Sequence, residues 1–399
     1  MLNENSNQTL VGIVRTMSSA SQAYALIPLA AALLSAAIFT AAIQLSYQAR
    51  ILAVPFMISA AILSICTNSY LEPIPHGPET LSQLICFWVH HALVTLLIEP
   101  VFIPTNLPRE QRRRFIRKIW NDPRRLTTLE ACEKTKGSMT RTRFLMGAIQ
   151  RLGLYLVLHR FFAVINVLVG PDQLTADDFS PQRRALLRRV LTLNPVTPVT
   201  LRELHIRAWM SVEWIWFSYL KLNTYNVVAS IIFVAILRFD SPEEWPPLFG
   251  SPLEAYSIQR FWGKFWHPLL RHPCAASGRL ISRKVFRFHP RSRYEKTWLA
   301  FWTFFISGVN HAIAARAIGC GGTLADSIRF RMSNFAAGAM ETIIGPVLEQ
   351  VILVHQDRAF GRVLVSRSAR KIFGYTWVFA VFFWIKPQER YAKLYANLE

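Results

Sequence analysis

Residues 298–318 read WLAFWTFFISGVNHAIAARAI. The stretch is 21 residues long and apolar nearly throughout; at 1.5 Å per residue it can cross a hydrocarbon core of about 30 Å. Near its middle stand Asn310 and His311, with Ser307 one helical turn before His311 on the same face. A polar or ionisable group at that depth is expensive, so it faces a protein interior or a water-filled cavity and marks a functional site. His311 is therefore the candidate catalytic centre of a membrane enzyme, and it requires a membrane-spanning chain around it.

The composition meets that requirement. Of 399 residues, 52% are hydrophobic, 13% aromatic and only 17% charged, with a mean hydropathy of +0.24; soluble domains carry about 25% charged residues. The apolar runs are continuous rather than alternating, which predicts helices and excludes a barrel. They are spread end to end, so one all-α, polytopic integral membrane domain is expected rather than two or three soluble ones. The net charge of +21 resides in loops between those runs, the pattern of membrane topology and of anionic lipid headgroups rather than of nucleic-acid binding. The five cysteines (66, 86, 132, 274 and 320) are scattered without a CxxC pair, so neither a metal site nor a disulfide framework is indicated.

Eight spans are expected: 25–45, 51–65, 82–98, 145–169, 212–237, 298–318, 335–354 and 372–385. The organisation divides into a polar amino-terminal segment (1–24), an amino-terminal transmembrane region (25–204), a region from 205 to 390, and a tail (391–399). The first apolar run is too long for a signal-peptide core and reads as a span or signal anchor. The loop LEPIPHGPE (71–79) forbids helix through its prolines and glycine. A lumenal amino terminus puts 29 Lys and Arg on the cytosolic side against 13 on the lumenal side, the orientation favoured by the positive-inside rule. It also makes Asn7, in the sequon Asn7-Gln8-Thr9, an acceptor for glycosylation. A multi-pass protein of the endoplasmic reticulum is the expected setting.

Other polar residues inside the runs have plainer readings. His90 and His91 precede Glu99, but adjacent histidines point to different helix faces. Glu341 and Glu349 share a face and are expected to pair with Arg316 or Arg329. Of Arg151 and Arg160 in the fourth span, one is expected to snorkel and the other to line a polar interior, and His159 is expected to pack inside. The glycines at 319, 321 and 322 lack the strand and the Lys-Ser/Thr pair of a phosphate loop.

The long segment 238–296 carries the second signal, RFWGKFWH at 260–267. On residue types alone, Phe261, Trp262, Phe265 and Trp266 could equally anchor an interfacial helix. Forty-four residues after His267 stands His311, the last residue of the intramembrane SGxxH of 307–311. The combination resembles the wax-synthase-like branch of the membrane-bound O-acyltransferases, in which an aromatic FWxxxW-[N/H] motif precedes a helix with the catalytic His. The resemblance spans roughly 205–390, and the compact chain looks like the fungal enzymes that acetylate terpenoid and meroterpenoid alcohols. It implies His311 as the catalytic His and His267 at the position many relatives fill with Asn. It implies acetyl-CoA as a co-substrate with no bound cofactor, and a hydrophobic alcohol arriving from the bilayer. The substrate-binding residues would be Arg260, Phe261, Trp262, Lys264, Trp266 and His267, with the cations Arg260, Lys264 and Arg271 meeting coenzyme A phosphates.

The chemistry suits these residues. A thioester is already activated, so acyl transfer needs only a base for the attacking hydroxyl. An imidazole, with an ordinary pKa of about 6.5, can accept that proton at neutral pH. Asn310 or Ser307 would orient the ring or donate to the developing oxyanion. The alternatives are a long-chain wax-ester synthase, a small-solute transporter and a non-catalytic scaffold. The chain lacks the inverted repeat of broken spans that a transporter would show.

Overall fold

The computed structural model describes residues 19–74, 76–104, 106–120, 122, 139–192, 197–317, 324–354 and 366–398. Asn7, Cys132, Cys320, the glycines 319–322 and the middle of the 109–143 loop lie outside the described residues. Every long element is helical: α1 (Ser19–Ala42), α2 (Tyr47–Cys66), α3 (Gly77–Leu93), α4 (Arg109–Trp120), α5 (Arg141–Val169), α6 (Leu201–Ser230), α7 (Arg271–Lys284), α8 (Arg293–Ala317), α9 (Leu324–Val354) and α10 (Arg367–Leu398). Helices α3 and α6 each run on into a π-helical turn, Val94–Ile98 and Ile231–Ile236. Among the described residues, six helical stretches are long and apolar enough to cross a membrane: Tyr24–Ala42, Tyr47–Cys66, Gly77–Ile98, Arg141–Val169, Leu201–Ile236 and Arg293–Ala317. They coincide with the first six expected spans. The runs expected at 335–354 and 372–385 fall inside α9 and α10, helices of 31 and 32 residues.

The chain forms two compact units, Met1–Pro123 with Leu270–Cys320, and Arg124–Leu269 with Gly321–Glu399. In the first, α1 and α2 form a hairpin tied by small polar side chains, as suits helices that cannot use water exclusion between them. Ser35 donates to the carbonyl of Met57 at 2.8 Å and Ser64 to that of Pro28 at 2.6 Å. The buried Arg50 staples the hairpin turn by donating to the carbonyls of Leu45, Ile43 and Val101. The amphipathic α4 lays Ile116, Ile119 and Trp120 on the core formed by Phe39, Met57 and Leu96. Helices α7 and α8 touch closely at Gly278, where a Cβ would stand 2.9 Å from both Leu299 and Trp302.

In the second unit, α6, α9 and α10 enclose an aromatic core of Phe261, Phe265, Trp266, Phe330 and Phe382. Its polar end is an ion-pair network. Glu203 is buried between Arg189, at 2.8 Å, and Arg207, at 3.1 Å, while Arg202 pairs with Asp178 at 2.8 Å. The basic residues 183–189 are thus largely spent on internal pairs, Arg183 with Asp177 and Arg184 with Asp326. Two expectations fail here. Arg151 and Arg160 are both exposed, and so is His159, which only meets Phe217 edge-on at 5.6 Å. The physical reason is that just 6% of the apolar α5 window is buried within the protein. A helix so uncovered has no polar interior to offer either arginine.

Candidate active site

The motif segment starts as a single turn, Ile258–Arg260, capped by Ser257, whose hydroxyl accepts from the Arg260 amide at 3.1 Å. It continues as a π-helical turn, Phe261–Phe265, closed by Trp266 N–H to Phe261 C=O at 2.7 Å. Such turns recur at functional sites because the extra residue re-aims side chains. Phe261 is 2% exposed and Trp266 7%, so the segment is core rather than an interfacial anchor. Trp266 is stacked between Trp214 of α6 at 5.1 Å and Phe261 at 5.2 Å. Trp262 donates its indole N–H to Asn334 Oδ1 at 2.9 Å. The half-buried His267 ring meets Phe249 edge-on at 5.5 Å and Trp266 at 5.6 Å.

The two motif cations differ. Arg260 is held internally, paired with Glu254 and stacked 4.4 Å above Tyr256, whereas Lys264 is exposed. Arg271 opens α7 in the other unit.

Glu341 holds the motif in place. Its carboxylate accepts from the amides of Ile258 (2.5 Å) and Gln259 (3.0 Å) and from the indole of Trp377 (2.9 Å). A negative group at free backbone N–H groups is where the helix end field favours it. This corrects the expected pairing with Arg316 or Arg329: Arg329 instead pairs with Asp326 at 3.3 Å. The side chain of Glu349 lies outside the described residues. Gln259 adds bonds to Gly338 C=O and Thr342 Oγ1, both 2.7 Å.

In the first unit, His311 sits half-buried on α8, its ring edge-on to Phe87 of α3 at 5.2 Å. Ser307 lies one turn earlier, also half-buried, and Gly308 between them is buried. Asn310 is 9% exposed, and its Nδ2 has no hydrogen-bond partner among the described residues. One turn past Phe87, His90 meets Ser277 Oγ at 3.2 Å, and that hydroxyl also accepts from Trp302 Nε1 at 2.9 Å. His91 faces elsewhere, bonded through Nε2 to Ile119 O at 2.9 Å. Glu99 engages His272 at 3.2 Å and Arg279 at 2.8 Å on α7. Among the described residues no group of three His, Cys, Asp or Glu is arranged to hold a metal ion.

The sequence reading missed Trp214, Asn334 and the role of Glu341. Trp214 lies in the run EWIWFSYLK (213–221), where nothing local distinguishes it from its aromatic neighbours.

Comparison with known proteins shows what the chain is similar to. Residues 245–332, which contain both the aromatic motif and His311, match the Membrane bound O-acyl transferase family. The resemblance read from the motifs thus holds. Among curated relatives, the acetyltransferase atnC of an Arthrinium species is 34% identical over 182 residues, covering 45% of this chain and 40% of that protein. The acetyltransferase spyB of Aspergillus fumigatus is 29% identical over 169 residues, 41% of this chain and 28% of that one. The acetyltransferase ataH of Aspergillus terreus is 31% identical over 152 residues, 38% of this chain and 47% of that protein. The chain spans less than half the length of these relatives. No solved structure matches it significantly.

Proposed function

We propose that this protein is a membrane-bound O-acetyltransferase that moves an acetyl group from acetyl-CoA to a hydroxyl of a hydrophobic secondary metabolite such as a terpenoid or meroterpenoid. The observation that carries this reading is that one family match, residues 245–332, includes both the aromatic motif and the intramembrane His311. The relatives' designation as acetyltransferases supports the acyl group.

In this mechanism His311 takes the proton of the alcohol as its oxygen attacks the thioester carbonyl. The resulting tetrahedral oxyanion needs a donor, and the buried, unpartnered Asn310 Nδ2 is suited to that part. Collapse breaks the C–S bond, and the imidazolium returns its proton to the departing thiolate. Ester and free coenzyme A are the products. Ser307 supports the ring from one turn below. Trp262, Trp266 and His267 take part in binding the donor, and the exposed Lys264 is the motif cation left available to its phosphates. The setting proposed is the endoplasmic reticulum membrane with the donor delivered from the cytosol.

The test is release of free thiol from acetyl-CoA by membranes containing the protein, with a panel of terpenoid alcohols and with long-chain alcohols as comparison. Alcohol-dependent release that disappears in His311→Ala is expected. Release that is equal in wild type and His311→Ala, or absent with every alcohol, would defeat the proposal.

A further inference from the structure

In the second unit a buried basic pair has no part in the chemistry above. Arg331 of α9 is 7% exposed and Lys386 of α10 is 6% exposed. Lys386 is paired with Glu389, and Arg331 Nη1 stands 4.0 Å from the same carboxylate, beyond hydrogen-bonding reach. Arg331 Nη1 has no hydrogen-bond partner among the described residues. Of the other acids in this unit, Glu213 is paired with Arg390 at 2.5 Å and Asp326 with Arg184. Two interior cations therefore share one carboxylate. A buried guanidinium with unmet donors is costly, and such violations concentrate at functional sites.

The surroundings suggest what would meet it. Both cations stand 4.7 Å over the Phe330 ring, and Lys386 stands 4.8 Å over Trp214. Trp214 is the ring stacked on Trp266 of the motif, and Asn334, one turn beyond Arg331, holds Trp262. The basic pair thus shares its aromatic floor with the motif. A planar fork of N–H donors beside an ammonium is the arrangement that recognises phosphate oxygens.

We propose that Arg331 and Lys386 form an anion-binding site for a phosphate ester or diphosphate group. Given the function proposed above, that group is the phosphate portion of coenzyme A, with a lipid phosphate as the other source of the same chemistry. The test uses purified full-length protein in nanodiscs of phosphatidylcholine alone, titrated with coenzyme A and separately with inorganic pyrophosphate, with thermal unfolding recorded in parallel. Wild type should bind coenzyme A, and Arg331→Met and Lys386→Met should each weaken it at least tenfold. Unliganded Arg331→Met should melt no lower than wild type, because no protein hydrogen bond is lost; a purely structural arginine would lower it. If Arg331→Met does not accumulate, Arg331→Lys, which keeps charge without the fork, should weaken binding severalfold. Unchanged affinity in these variants overturns the site. If only nanodiscs containing phosphatidic acid stabilise the protein, and do so through Arg331, the site stands with a lipid ligand and the donor assignment falls; stabilisation by no phosphate overturns it. Acetyl transfer is measured on the same samples: Arg331-dependent coenzyme A binding without transfer rejects the enzyme reading alone, and transfer with an unchanged KM in Arg331→Met rejects the site alone.

Discussion

Replacing Glu341 tests how the motif is held. Its carboxylate accepts three hydrogen bonds, two from the amides that begin the motif turn and one from Trp377. In Glu341→Ala all three donors lose their acceptor. Gln259 is exposed, so water can replace one bond at little loss. The amide of Ile258 and the indole of Trp377 are part-buried, and each orphaned donor costs about 1–3 kcal/mol. The total is roughly 2–6 kcal/mol, and for a unit of this size each kcal/mol lowers Tm by about 2–4 °C. Glu341→Gln presents one oxygen and one NH2 to the same donors. It can keep Ile258 and Trp377 on the oxygen while its NH2 opposes Gln259, so the expected loss is roughly the smallest of these, about 1–3 kcal/mol. The assay is thermal unfolding in detergent followed by tryptophan fluorescence, with exposed Glu72→Gln as a control expected to stay within about 0.5 kcal/mol of wild type. A Glu341→Ala protein that melts within a degree of wild type would refute the argument that this carboxylate organises the motif.

His311→Ala should lower acetyl transfer by about 10²–10⁴-fold with little change in melting, and His311→Gln should fail equally because an amide cannot take the proton; Ser307→Ala should be milder, and near-full turnover in purified His311→Ala contradicts the assignment. Trp266→Ala should deplete the folded protein, since removing so buried a ring costs about 3–5 kcal/mol, whereas Lys264→Ala should leave melting unchanged and raise the KM for acetyl-CoA. Equal melting of Trp266→Ala and wild type would count against the core placement. Hydrogen bonds from Arg202, reinforced by Thr175 and opposed by burial, hold the Asp178 carboxyl below the ordinary carboxylate range. Its stabilisation is therefore present above the unfolded pKa of about 3.9 and lost as pH falls through the lower folded value. Melting curves from pH 6 downward should show an acid-side decline that Asp178→Asn flattens; an unaltered slope would exclude this pair as its source.

The spans were legible in the sequence because the bilayer imposes a local rule. Without water to satisfy backbone groups, an apolar run of sufficient length must be helical, so 298–318 already implied α8. The depth of His311 within that helix followed from counting residues, and the motif was visible as a run of aromatic residues with a fixed distance to SGVNH. Partners across many residues were not legible. Glu341 contacts Ile258 from 83 residues away, and no local pattern could prefer that carboxylate–amide contact to an ion pair with Arg329. Whether RFWGKFWH lies on a surface or in a core also depended on what covers it, here Trp214, Phe330 and Phe382 from three different helices. Likewise Arg260 and Arg331 are the same residue type in the sequence; only packing spends one on Glu254 and leaves the other with an unanswered donor. Hydrophobic length is a property of consecutive residues, whereas hydrogen-bond satisfaction is a property of neighbours in space, and only the tertiary structure supplies those.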